Sequence, residues 1–286
     1  MPGGFWNDRL ILRRTKDENE EKMKVGIMGN CARLKDASVI GRLADFLKAR
    51  GYETAVFEKN EDIDGAEVLV VLGGDGAILH VASAAARKNI AVIGINYGTL
   101  GFLAEYEKEE TERVVELLEE FRTGRCGILE RSLLGLSFGG KTYYALNEIA
   151  FLRDYTAAQV VGLEVFRNGK ESCKVVGDGA LLCTPTGSTA YSLSAGGAIL
   201  APETPVFMLT PVCSFSFNPR PMIFPDADTF LVRVTKGRVL LLADGKQAAA
   251  LEEGMTAEVA KAPFAAKFPI RKESSFLKKI RTKLNQ

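Results

Sequence analysis

Two short stretches carry side chains suited to work on a polar, anionic ligand. The longer, Gly177 to Gly197, reads GDGALLCTPTGSTAYSLSAGG. Asp178 stands between two glycines, the mostly apolar run Ala180 to Cys183 follows, and a block of hydroxyls and small residues from Thr184 to Ser192 leads to Gly196-Gly197. Hydroxyls, small side chains and accessible backbone N–H groups suit an anion lying close to the chain. The same composition also suits a Ser/Thr/Gly loop with hydroxyl caps on a helix. A second stretch, Gly73-Gly74-Asp75-Gly76, turns the reading toward a ligand. A glycine turn after a buried strand lets backbone amides approach phosphate oxygens. An aspartate fixed there can act as a general base or touch a metal. By itself GGDG is also a good tight turn. It is neither the G-x-G-x-x-G fingerprint nor a P-loop, since no Gly-Lys-Ser/Thr follows.

His80 is the only histidine. Five residues past Asp75, it either reaches the same site or serves its helix structurally. Asn147-Glu148 interrupts the apolar stretch Tyr144 to Leu152. Polar groups there are costly unless paired. They face a ligand, or the strand is an edge with a wet side. No Ser-His-Asp or Cys-His set presents itself. The five cysteines are scattered without a C-x-x-C pair, which argues against a zinc site or a disulfide framework and fits a reducing cytoplasm.

The elements that must hold these residues follow from pattern. A length of 286 residues suggests two domains, and a hydrophobic share of 47% is ordinary for a globular protein. A net charge of +1 gives no global field to favour nucleic acid or a membrane surface. No apolar run is long enough to span a bilayer. Residues 1 to 22 lack the apolar core of a signal peptide and are expected to form a loose extension. Strands are expected at Val25 to Met28, Ala55 to Phe57, Glu67 to Leu72 and Ala91 to Ile95. Helices are expected over 36 to 50, with Val39, Leu43, Phe46 and Leu47 on one face, over Ala77 to Arg87, and over Glu109 to Phe121. This alternation predicts a doubly wound α/β domain with a mostly parallel sheet, whose ligands sit beyond the strands' carboxyl ends, where Asp75 falls.

After Gly124 the pattern changes. Leu133 to Phe138 and Thr142 to Leu146 flank Gly139-Gly140. Leu163 to Phe166 and Cys173 to Val176 flank Asn168-Gly169, a strong hairpin signal. Phe230 to Val234 is expected to return through Lys236-Gly237 as Val239 to Ala243. These turns predict a β-rich second domain. The tail, Ser274 to Leu284, places Phe276, Leu277, Ile280 and Leu284 opposite a basic face. It reads as a helix closing the first domain in preference to a membrane-binding one. The expected division is 23–123 completed by 265–286, and 124–264.

Taken together, Gly73-Gly74-Asp75-Gly76, Asn96 to Phe102 with Leu103-Ala104-Glu105, Asn147-Glu148, Gly177-Asp178-Gly179, Thr184 to Tyr191, Ser194 to Gly197 and Arg220-Pro221 resemble the NAD kinase family in order and spacing over about residues 24 to 284. The Thr184 to Tyr191 block is the specific part, because diacylglycerol and sphingosine kinases and phosphofructokinases share GGDG without it. The resemblance implies an α/β domain, a β-rich domain and NAD bound between them, in a cytoplasmic homodimer or homotetramer. It implies transfer of the γ-phosphoryl of ATP, or of polyphosphate, to the 2′-hydroxyl of the adenosine ribose, with Mg²⁺ or another divalent cation on the nucleotide and no metal held by the protein alone. By position, Asp75 would be the proton acceptor, with Gly76 and His80 lining the same site. Asn147 and Glu148 would hold the adenosine ribose. Asp178 would contact the nicotinamide end, from its own or a neighbouring subunit. Thr189, Ala190, Tyr191, Ser192 and Ser194 would hold nucleoside parts.

The sequence departs from the family pattern at Ala77, where Thr is usual, at Ser214-Phe215 in place of Pro-His, at Lys246 in place of Gln, and at Val176, where some members carry Arg. These positions bear on the phosphate donor and on NAD versus NADH. Two other classes compete: a non-catalytic dinucleotide-binding regulator, which the intact Asp75 argues against, and a lipid kinase of the diacylglycerol type, which would lack the hydroxyl block.

Overall fold

The computed structural model describes residues 22–29, 34, 36–98, 101–156, 159–215 and 220–284. The expected extension, 1 to 22, lies outside these residues except for Lys22, as do Thr99 and Leu100. The described chain forms two units, the first from residues up to 130 together with 267 onward, the second from 131–266.

In the first unit, strand β1 (Lys24–Gly29), helix α1 (Ser38–Lys48), β2 (Glu53–Phe57), β3 (Val68–Leu72), α2 (Asp75–Arg87) and β4 (Ala91–Asn96) alternate. The strands are parallel in the order β2-β1-β3-β4. This order makes the chain reverse direction across the sheet beside β1 and β3, so helices cover both faces. β3 and β4 are buried at every residue, as the continuous apolar runs require for a sheet covered on both sides. Val39, Leu43 and Leu47 of α1 fall on one face and are buried against Val25, Ile27, Val68 and Val70. Each such aliphatic side chain contributes roughly 1.5–3 kcal/mol. On the opposite face Gly94 leaves room for α2: a Cβ there would collide with Ile78 and the Ala104 backbone.

β5 (Tyr106–Glu107) pairs with β4. The expected helix from Glu109 is a 3-10 segment, Lys108–Arg113, continued by α3 (Val114–Arg122), and Gly124 ends it with a φ of 66°.

The second unit is a sandwich of antiparallel sheets. β6 (Gly127–Phe138) and β7 (Lys141–Ala145) form a hairpin over Gly139-Gly140, and β9 (Val161–Arg167) and β10 (Lys170–Gly177) form one over Asn168-Gly169. All four turn residues have positive φ, which the twist of a two-residue turn demands. β10, β9, β14 (Phe230–Lys236) and residues 256–266 of β17 (Thr256–Ile270) lie side by side. The other sheet has the order β13 (Met222–Pro225), β12 (Val206–Val212), β11 (Gly179–Cys183), β8 (Glu148–Arg153), β15 (Val239–Ala243), β16 (Lys246–Leu251). Phe151, Leu182, Phe207, Phe230, Leu241 and Val259 meet in the shared core.

The structure corrects two strand expectations. β14 and β15 do not pair with each other: β14 lies between β9 and β17, and β15 between β8 and β16. The Lys236-Gly237 corner carries the chain from one sheet to the other. The apolar run from Tyr144 is not one strand either. It breaks at Leu146-Asn147, and β8 begins at Glu148.

The one-turn helix α4 (Tyr191–Ser194) lies in the hydroxyl block. The last helix, α5 (Phe276–Leu284), belongs to the first unit. Leu277, expected on its apolar face, is 66% exposed. Among the described residues, no helix is long and apolar enough to cross a membrane.

Candidate active site

In the first unit the site grows from the end of β3. Gly74 adopts an extended conformation and Asp75 is the first residue of α2, so the helix starts before the expected Ala77. A carboxylate is favoured at a helix N-terminus, where backbone N–H groups are unpaired. Asp75 is half-buried, and its Oδ2 and Oδ1 accept hydrogen bonds from the amides of Phe102 (2.6 Å) and Leu103 (3.0 Å). Gly101 makes that seat possible, since a Cβ would collide with Oδ1. Each carboxylate oxygen keeps a free lone pair, so Asp75 can still take a proton. Asn96, 4% exposed, shapes the facing turn by accepting from Gly98 N and donating to Glu107.

Gly76 and His80 are both exposed. On an α-helix, residues five apart lie about 140° apart around the axis, so the His80 side chain does not share Asp75's direction. The His80 carbonyl accepts from Asn60 Nδ2 at 2.6 Å.

In the second unit the site grows from the break before β8. Asp244 and Gly245, with φ of 46° and 74°, make the tight turn from β15 to β16. From there the Asp244 carboxylate accepts from three successive amides, Leu146 (2.8 Å), Asn147 (2.8 Å) and Glu148 (3.2 Å). Burial pushes its pKa up and those amides pull it back. Glu148 lies on a strand flanked by β11 and β15, so the edge-strand alternative is excluded. Its side chain is 7% exposed and its Oε2 is buried without a hydrogen-bond partner. Burial first, and the Asp244 charge second, push its carboxyl up to about 7.

The hydroxyl block mostly serves the fold. Thr184 Oγ1 donates to the Leu146 carbonyl, Thr184 N donates to the Asn147 carbonyl, and a Cβ on Gly187 would collide with that same carbonyl. Thr186 Oγ1 accepts from Arg131, and Ser188 Oγ donates to the Pro185 carbonyl at 2.6 Å. The block therefore grips the Asn147-Glu148 turn from the other side. Ser192, expected to hold the nucleoside, is fully buried and bonded to Thr210 Oγ1 at 2.8 Å. Its hydroxyl is committed to β12 and not offered outward. Thr189 and Ala190 are half-buried, Tyr191 is 36% exposed and Ser194 is exposed, so these four remain accessible.

Asp178 pairs with Arg153, whose Nε lies 2.8 Å from Oδ1. Its flanking glycines are required by packing: a Cβ on Gly179 would collide with the Phe151 carbonyl, and one on Gly177 would lie 2.6 Å from the Cys213 carbonyl. Burial raises the Tyr191 phenol, and the charges of Asp178 and Glu148 act on it in the same direction. The second unit thus gathers Glu148, Asp178 and Tyr191.

Known proteins decide the family. The family model for the ATP-NAD kinase N-terminal domain matches residues 14–123, and that for the ATP-NAD kinase C-terminal domain matches 146–270. The NAD kinase of Fusobacterium nucleatum is 36% identical over 201 residues, covering 70% of this chain and 73% of that one. The chain belongs to the NAD kinase family. The NAD kinase of Methanothermobacter thermautotrophicus is 32% identical over 284 residues, covering 92% and 96%. Among solved structures, yeast NADH kinase complexed with NADH superposes with a TM-score of 0.81 at 26% identity, covering 92% of this chain and 88% of that one. An Archaeoglobus fulgidus NAD kinase in complex with ATP gives 0.76 at 25%, covering 92% and 98%.

This kinase is therefore an enzyme of ATP-dependent NAD phosphorylation, and neither the regulator nor the lipid kinase is favoured. Asp244, the late aspartate of the family pattern that stands with Gly245 before Lys246, is a candidate site element. The sequence announces a turn there but not that the carboxylate reaches the amides of Leu146, Asn147 and Glu148.

Proposed function

We propose that Asp75 accepts the proton of the 2′-hydroxyl on the adenosine ribose of NAD as that oxygen attacks the γ-phosphorus of ATP. The new P–O bond forms as the bond to the bridging oxygen breaks, and the electron pair leaves with ADP. The observation that supports this is the Asp75 carboxylate held at the helix start by two backbone amides, with lone pairs still free. A hydroxyl is a weak nucleophile at neutral pH, and a positioned base is worth about 10²–10⁴-fold.

Asn147 and Glu148 hold the ribose, and the orphaned Oε2 of Glu148 is the acceptor that a sugar hydroxyl would satisfy. Gly76, without a side chain, lets the phosphates approach, and His80 lines the outer side of the same helix. Thr189, Ala190, Tyr191 and Ser194 face nucleoside parts, and Asp178 the nicotinamide end. Ser192 contributes only through its backbone.

Mg²⁺ would be carried by the nucleotide phosphates, where it would neutralise charge in the transfer. Exposed Tyr155, Val176 and Phe215 near Asp178 support a homo-oligomer. The free thiols of Cys126, Cys173, Cys183 and Cys213 support a cytoplasmic setting.

The test is formation of NADP from NAD, ATP and Mg²⁺, repeated with Asp75→Asn. That variant keeps size and hydrogen bonding but cannot take the proton. Its kcat should fall by about 10²–10⁴-fold with NAD affinity within about tenfold. A surviving kcat with a shifted Mg²⁺-ATP requirement would mean that Asp75 serves the metal side instead.

A further inference from the structure

The segment that aims Asp75 is irregular, and the end of the chain is built onto it. Residues 101–105 form neither helix nor strand, yet Phe102 and Leu103 supply both amides on the Asp75 carboxylate. Glu105, next along, is 6% exposed. It accepts from the backbone N–H of Arg271 (3.1 Å), from Ser274 Oγ (3.2 Å) and from Lys279 Nζ (2.9 Å). Lys279 also donates to the Ala104 carbonyl at 3.1 Å. One turn further along α5, the Lys283 ammonium lies 5.7 Å from the centre of the Phe102 ring. Burial lowers the Lys283 pKa, and the charges of Asp75 and Glu107 oppose that shift. Residues 279 and 283 are four apart and so share one face of the helix.

We infer that α5 positions the catalytic aspartate, with Lys279 and Lys283 as its positioning residues. Lys279 fixes the 104–105 backbone and Lys283 fixes the ring beside the Phe102 amide, so the helix sets where the Asp75 carboxylate points. An irregular loop has no ladder of its own to hold that geometry, and misplacing a reacting group by about 1 Å costs on the order of 10²-fold in rate. This inference rests on Asp75 being the base.

The experiment measures steady-state kinetics and melting temperature of the full chain carrying Lys279→Met, Lys279→Arg or Lys283→Met, each with native Asp75 and with Asp75→Asn. Lys279→Met should lower kcat roughly 10–100-fold while KM for NAD and for ATP stays within about twofold. Lys279→Arg, which can still donate to Glu105 and Ala104, should restore most of the rate. On the Asp75→Asn background Lys279→Met should change little, because there is no base left to aim. Equal losses on both backgrounds, or losses that only track melting temperature, would reduce α5 to a stability element and overturn the inference. Should Lys279→Met fail to fold, Lys283→Met decides by the same criteria, and Lys283→Arg, which keeps both the charge that acts on Asp75 and the place over the ring, should restore the rate. Failure of the base assignment looks different: Asp75→Asn alone keeps its kcat, and the inference falls with it. Native kcat in both lysine variants beside a disabled Asp75→Asn overturns the inference alone.

Discussion

Glu148 is a buried carboxyl held above the usual carboxylate range by burial first and the Asp244 charge second. Its folded-state pKa is raised from 4.5 to about 7, so the protonated form is the one the fold favours. Stability from this group is therefore complete below its unfolded value and is lost as pH rises through about 7. Glu148→Gln keeps the shape without the charge. Denaturation across this pH window should show the native chain losing up to about 3 kcal/mol relative to the Gln variant. Parallel curves would mean that Glu148 is already ionised and satisfied in the free protein. Glu148→Ala should weaken NAD binding by about 1–3 kcal/mol with little loss of fold, as titration calorimetry can measure. Unaltered affinity would move this strand away from the substrate. At this scale the placement of Asp75 at the carboxyl end of β3 was legible from the apolar run that leads into the glycine turn. What Asp244 reaches was not, because the amides it holds lie 96 to 98 positions earlier in the chain, and no local pattern encodes that reach.

Glycines that look alike in the sequence do different work in their elements. A Cβ at Gly187 would collide with the Asn147 carbonyl, whereas a Cβ at Gly76 has nothing within 4 Å. Gly187→Ala should therefore lower the melting temperature sharply, since a backbone carbonyl cannot move aside as a side chain can. Gly76→Ala lies in the first turn of a helix and should leave the fold as stable or raise it by about 0.5–1 kcal/mol. If phosphates approach there, it should still lose activity, and full activity would place them elsewhere. The periodic elements are plain from residue pattern alone: α1 from Val39, Leu43 and Leu47, β3 from its unbroken apolar run, and the hairpins over Gly139-Gly140 and Asn168-Gly169. Lys236-Gly237 misleads because a tight glycine turn between two apolar strands reads the same whether the strands pair or part to different sheets. The hydroxyl block carries two readings for a related reason. Ser and Thr satisfy buried groups of the fold as readily as they meet a ligand: Thr184 and Ser188 donate to backbone carbonyls, and Ser192 bonds the Thr210 hydroxyl.

For the whole molecule, Met23 is built into the first unit: it is 5% exposed and its carbonyl accepts from Glu53 N at 3.1 Å. A chain starting at Met23 should keep its melting temperature and its rate of NADP formation. The family match starts at residue 14, so a loss of either would assign a role to residues 14–22. The other end of the chain carries a consequence for how the protein is made. The first unit takes back residues from 267 onward, with Lys267 paired to Ala91 on β4 and Lys279 bonded to Glu105, 174 positions away. Contacts so distant form late, after a large loop has closed. On the ribosome the first unit emerges early but waits for its last strand residues and helix until the second unit has been synthesised. A polypeptide released anywhere inside the second unit therefore lacks part of the first one, and translation errors yield fragments with an unfinished phosphate-transfer apparatus in place of a loose nucleotide-binding domain at large in the cell.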